Sequence, residues 1–246
     1  MTQLSQTDSA PAPARGLSGV MTRSGLFRLS VARFLGTLVL LLVTAPFVQA
    51  FKYGMLVDTA LATLVLCMGV LAVGARRRTL IVAAILVLPA VLGNLAIHFW
   101  PERYPLEAVL AARLVFLGYI VARLLIFILR APRVNSEVLC AGVSIYLLLG
   151  VLWAVAYRIV ARATPDAFSF SVPPTASHDM TSFNAIYYSF MTLTTVGYGD
   201  ITPVSNAARM LAIMEAMSGT LFVGILIARL VSLYSAPGPA EPPTQP

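Results

Sequence analysis

Apolar stretches of about 20 residues recur along this chain, separated by short polar connections that carry most of the charge. A helix that crosses a bilayer needs about 20 predominantly apolar residues. Val31 to Ala50, Met55 to Val73, Leu80 to Trp100, Leu106 to Leu129 and Val138 to Val160 meet that length, and a sixth stretch runs from Asn206 to Ser232. At about 1.5 Å per residue the last one reaches roughly 40 Å, more than a hydrocarbon core of about 30 Å, so it tilts or protrudes. Pro46 and Pro89 lie inside the first and third stretches, where a kink rather than a stop is expected. The pattern predicts an all-α membrane protein with six transmembrane helices.

Between the fifth and sixth stretches the pattern changes. A polar run from Arg162 to Met180 leads into Thr181 to Thr194, where Phe183, Ile186, Tyr187, Phe190 and Met191 recur at helical spacing. A helix capped near Asp179 or Thr181 follows from this. Its roughly 21 Å length cannot cross a bilayer, so it must enter and turn back. Irregular backbone after such a helix survives at membrane depth only where it lines a watery cavity or is buried in protein.

The arginines orient the spans. Arg15, Arg23, Arg28 and Arg33 precede the first, Arg76, Arg77 and Arg78 separate the second from the third, and Arg130 and Arg133 separate the fourth from the fifth. The alternate connections carry little beyond Lys52, Glu102 and Arg103. The positive-inside rule then puts both termini in the cytoplasm, with Arg158 and Arg162 at the outer end of the fifth span running against it. Residues 1–30 are expected as a disordered cytoplasmic segment, 31–133 as a four-helix supporting domain, 134–233 as a pore domain and 234–246 as a linker-like tail. These segments leave no room in the chain for a soluble regulatory domain.

Composition agrees with a membrane protein: 59% hydrophobic, 11% charged, mean hydropathy +0.85. The net charge of +7 reads as contact with anionic lipid headgroups rather than with nucleic acid. Cys67 and Cys140 fall in spans and read as unpaired apolar side chains, and His98 as an interfacial residue. Two histidines, two span-borne cysteines and scattered acids form no metal or nucleophile constellation, so neither an enzyme nor a cofactor is expected.

The chemistry concentrates in the string Thr194-Thr195-Val196-Gly197-Tyr198-Gly199-Asp200, whose Thr-Val-Gly-Tyr-Gly core is a loop type that selects among cations through its backbone carbonyls. A dehydrated K⁺ needs a cage of oxygens, which the carbonyls of Thr195, Val196, Gly197 and Tyr198 supply if all point at one axis. Gly197 and Gly199 can take positive φ at little cost and let the chain alternate its handedness. The Thr195 hydroxyl can add an innermost oxygen. Val196 and Tyr198 are expected to point away and pack against the short helix, whose C-terminal end near Thr194 favours a cation. One chain supplies one wall, so a closed cage implies a homotetramer, with three identical subunits as partners.

From about Val138 to Leu233, roughly two-fifths of the chain, the sequence resembles the pore unit of the tetrameric potassium-channel family in its bacterial form. The resemblance implies that Thr195 to Tyr198 bind K⁺ as permeant ion, with Thr194, Gly199 and Asp200 as support. It also implies that Asp200 bonds an aromatic residue of the short helix. Tyr187 occupies that position, where many relatives carry Trp. Met191 stands where some relatives carry a Glu that pairs with this Asp, so the inactivation linked to such a pair is not expected.

Gly219 matches the flexible glycine of the inner helix in similar channels, with close helix packing as the equal alternative. Glu215, one turn earlier at membrane depth, either tunes the cavity field or, the favoured reading, bonds the short helix through Ser189 or Thr192. Six spans resemble the voltage-gated branch, but the fourth has only Arg113, Arg123 and Arg130, without the repeat at every third position. Arg113 and Arg123 are therefore weak voltage-sensor candidates. The function expected is a K⁺-selective channel in the inner cell membrane with weak or no voltage sensing. A less selective cation channel and a non-conducting scaffold or regulatory subunit are the alternatives.

Overall fold

A computed structural model describes residues 18–48, 54–73, 77–99, 106–131, 135–171 and 178–234. Arg15, Lys52, Arg76, Glu102, Arg103, Arg133 and the tail from 235 lie outside the described residues, as do the side chains of Arg23, Arg28, Arg77, Arg78 and His98. The elements are α1 (Ser18–Val48), α2 (Gly54–Val73), α3 (Arg77–Phe99), α4 (Leu106–Arg130), α5 (Ser136–Ala163), β1 (Phe168–Phe170), α6 (Ser182–Leu193), β2 (Ile201–Pro203) and α7 (Asn206–Tyr234). Among the described residues, α4, α5 and the stretch 206–232 of α7 are long and apolar enough to cross a membrane. Shorter apolar segments, Val31–Phe47, Ala60–Leu71 and Ile81–Gly93, lie within α1 to α3.

One expectation is corrected. α1 begins at Ser18, so residues 18–30 of the expected disordered segment are helical. Once the span has nucleated the helix, each further residue adds a bond at low cost, and no proline interrupts before Pro13. The described residues are helical as expected apart from a small ribbon, in which Phe168, Ser169 and Phe170 pair antiparallel with Pro203, Thr202 and Ile201. Pro203 cannot donate to a ladder and is tolerated because each strand is an edge. Pro46 and Pro89 sit inside continuous helices, as expected.

α5 is the hub. α1 and α4 pack on it, and so do α6 and α7, while α2 and α3 close the chain of contacts from α1 to α4. Its start is capped by Asn135, whose side chain accepts from Val138 N at 3.0 Å. The main core joins Phe34 and Leu38 of α1, Leu66 of α2, Phe116, Ile120 and Leu124 of α4, and Ile145 and Leu148 of α5. At the other end of α5, the rings of Tyr157, Phe168 and Tyr188 meet edge to face with centroids 4.8 to 5.8 Å apart. This cluster seats the ribbon on α5 and α6.

The charges at the C-terminal end of α5 have local reasons. Arg162 Nε donates to Glu107 Oε1 at 2.9 Å, which ties the end of α5 to the start of α4. Arg158 and Arg113 line one small cavity together with Leu117 of α4 and Ser182 and Ile186 of α6.

Candidate ion pathway

The site is built on a short helix. Thr181 caps α6 by accepting from Asn184 N at 3.2 Å, and the Asn184 side chain donates to Asp179 O at 2.8 Å. Twelve residues later α6 ends at Leu193. Its last turn holds the loop that follows: Thr195 N donates to Thr192 O at 3.0 Å, Val196 N to Met191 O at 2.9 Å and Gly197 N to Met191 O at 3.1 Å. The Thr194 hydroxyl turns back to Phe190 O at 2.6 Å. Consecutive amide groups are thereby drawn toward α6 and away from the other face of the loop.

The backbone alternates. Thr195, Gly197 and Gly199 have φ of 59°, 51° and 80°, whereas Val196 and Tyr198 between them do not enter that region. Alternation of left-handed with ordinary conformations rotates successive peptide planes, which regular helix or strand geometry cannot do. At Gly197 and Gly199 an added Cβ would meet nothing within 4 Å, so glycine is required by φ and not by space. Thr195 is the surprise. A β-branched residue at positive φ is strained by about 1–3 kcal/mol, and such strain gathers at functional positions.

The far end of the loop is anchored from two directions. Tyr187 Oη donates to Asp200 Oδ2 at 2.7 Å, the pairing implied by the resemblance. Asp200 Oδ1 accepts from Ile201 N at 3.1 Å, and its carbonyl accepts from Ser171 N at 2.7 Å, which joins the loop to the ribbon. Val196 and Tyr198, expected to pack against α6, are 51% and 72% exposed, so the single chain covers them only in part.

Behind the loop, α7 passes very close to α6. A Cβ at Gly219 would lie 2.6 Å from Leu193 O, and α7 continues through that position without a break. Close packing, one of the two readings of Gly219, has a definite partner. Glu215 is fully buried, with Ser189 Oγ 2.5 Å from Oε1 and Tyr157 Oη 2.5 Å from Oε2. Ser189 was anticipated; Tyr157 and the contact between Trp153 Nε1 and Ser218 Oγ at 3.1 Å were not. Arg229 was also missed: its Nη2 donates to Leu129 O at 3.1 Å and to Ala131 O at 3.0 Å, at the end of α4. No periodicity marks these residues, because their partners come from distant helices. Arg113 and Arg123 are both half-buried on α4.

An ion-channel family model matches residues 136–236, the segment from α5 through α7. Protein LctB of Bacillus caldotenax is 33% identical over 119 residues, which cover 48% of this chain and 87% of that protein. Two pore potassium channel c of Oryza sativa subsp. japonica is 41% identical over 70 residues, 28% of this chain and 14% of the rice protein. The calcium-gated potassium channel TvoK of Thermoplasma volcanium is 46% identical over 48 residues, 20% of this chain and 14% of that channel. The chain thus spans only a small part of the two named potassium channels. The ion-channel model and these relatives indicate a channel rather than an enzyme. With the ion-channel model over α5 to α7, a 33% identical match over most of the LctB protein and named potassium channels among its relatives, this chain belongs to the potassium-channel family.

Proposed function

We propose that the chain forms a K⁺-selective channel in which the carbonyls of Thr195, Val196, Gly197 and Tyr198 replace the hydration shell of the ion. The observation that carries this reading is the alternation of positive φ at Thr195, Gly197 and Gly199. Combined with amides drawn to Thr192 and Met191, it leaves the opposite face of the loop to carbonyl oxygens. The named potassium channels among the relatives support the same choice of ion.

Four copies around one axis complete the cage. The exposed apolar side chains of α7, among them Met210, Met214, Met217, Leu221 and Ile225, and the exposed Val196 and Tyr198 support burial between subunits. All six long helices span the inner cell membrane against lipid, with both termini cytoplasmic. α1 to α4 serve as a supporting domain with weak or no voltage sensing.

The test is planar-bilayer recording of purified protein with K⁺ and Na⁺ on opposite sides, repeated with Gly199→Ala. A reversal potential near that of K⁺, lost or shifted in the variant because alanine is strained at φ of 80°, is expected. A reversal potential near zero points to a less selective cation channel, and absence of current to a non-conducting scaffold. A K⁺ current indifferent to Gly199→Ala removes the filter assignment.

A further inference from the structure

We propose that Glu215 is a neutral carboxylic acid that donates its proton to Ser189, heading a hydrogen-bond chain through Ser189 to the Gly150 carbonyl that fixes α6 between α5 and α7. Ser189 Oγ lies 2.7 Å from Gly150 O and 2.5 Å from Glu215 Oε1, yet a hydroxyl has a single hydrogen and a carbonyl none.

If Glu215 were ionised, Ser189 would have to donate to it. The Ser189 and Gly150 oxygens would then face each other at 2.7 Å with no hydrogen between them. If Glu215 carries a proton on Oε1, it donates to Ser189, and Ser189 donates to Gly150. Tyr157 donates to Oε2 at 2.5 Å, and each short contact holds one hydrogen.

The surroundings agree. Glu215 has no exposed surface, and the titratable groups its charge acts on are Tyr146 and Tyr157 of α5 and Tyr188 of α6. Among the described residues no cation is one of them. A buried carboxylate without a positive partner is costly to keep ionised, whereas a fully hydrogen-bonded acid is not. The backbone beside Glu215 is held as well: its carbonyl accepts from Ser218 Oγ at 2.8 Å, and Ser218 in turn accepts from Trp153 of α5.

Glu215 is a positioning residue. Ser189 precedes by two residues Met191, whose carbonyl holds the amides of Val196 and Gly197, so the acid acts on the loop through the helix. That consequence rests on the channel reading above; the protonation does not.

The test is infrared spectroscopy of the purified, lipid-reconstituted full chain at neutral pH. Wild type is expected to show a protonated-carboxyl C=O band that vanishes in Glu215→Gln and shifts in Ser189→Ala. Gln reproduces the neutral acid's pattern, with an N–H for Ser189 and a carbonyl for Tyr157. Absence of a band specific to Glu215 overturns the proposal whether or not the protein conducts. A Glu215 band in protein that carries no K⁺ current leaves the proposal standing and removes the channel reading alone.

Discussion

Tyr187 and Asp200 meet at 2.7 Å, and that bond is the side-chain brace at the outer end of the loop. Tyr187→Phe removes the donor and leaves Asp200 Oδ2 without it. A partly exposed bond of this kind contributes about 1 kcal/mol. The expected outcome is a lower melting temperature whose deficit shrinks at high K⁺, where ion binding braces the loop instead. Thermal unfolding at low and high K⁺ reads it, and a deficit that does not depend on K⁺ would separate the bond from the ion site. Gly219 and Gly224 make a contrasting pair. Gly219→Ala forces a methyl against the Leu193 carbonyl and should destabilise by about 1–3 kcal/mol, as overpacking does. Gly224→Ala meets nothing within 4 Å and should be neutral or stabilising by up to about 1 kcal/mol through helix propensity. Melting curves of the two variants decide whether position 219 is held by packing. At this scale the sequence offered Thr195 to Asp200 as a string, Tyr187 only through the family resemblance, and Glu215 with Ser189 or Thr192 because an acid in an apolar segment is visible without a structure. The strain at Thr195 and the roles of Tyr157 and Arg229 were not visible, since each depends on backbone torsion or on a partner more than 50 residues away.

At the level of elements, α6 and α7 carry the clearest consequences. The Thr181 cap satisfies one of the open amides at the start of α6, and Thr181→Ala should cost about 1 kcal/mol. Arg229 places a positive charge on the carbonyls that end α4, a favourable position relative to the helix dipole. Arg229→Gln should therefore loosen the last turns of α7 against α4. Faster amide exchange in peptides from 225–234 is expected, with exchange in α6 unchanged, and uniform exchange across both helices would count against the link. The long apolar helices were legible as periodicity and length. The start of α1 and the ribbon of Phe168–Phe170 with Ile201–Pro203 were not. Three-residue strands have too short a pattern to stand out, and this pair exists because the aromatic cluster of Tyr157, Phe168 and Tyr188 gives it a floor.

For the whole molecule, the single chain leaves most of α7 uncovered although that helix is mostly apolar. Native mass spectrometry should give a protein mass near four times 26.3 kDa, and a monomer or dimer would contradict the closed cage. Arg113 and Arg123 are the candidate charges inside α4, and each full charge moved across 100 mV is worth about 2.3 kcal/mol. Steep gating needs several charges moving together, so the conductance–voltage relation should be shallow. A steep curve in purified protein would overturn the supporting-domain reading. Read alone, the order of residues settled the membrane class, the helix too short to cross and the string that carries the carbonyls. These depend on composition, length and local spacing, which are properties of neighbouring residues. Folding settled which reading of Gly219 has a contact behind it, which oxygen each buried hydroxyl reaches, and that Val196 and Tyr198 are covered only in part within their own chain. Those outcomes depend on which distant surfaces are pressed together, and packing at 2.5 to 3 Å is decided by three-dimensional shape that no linear pattern encodes.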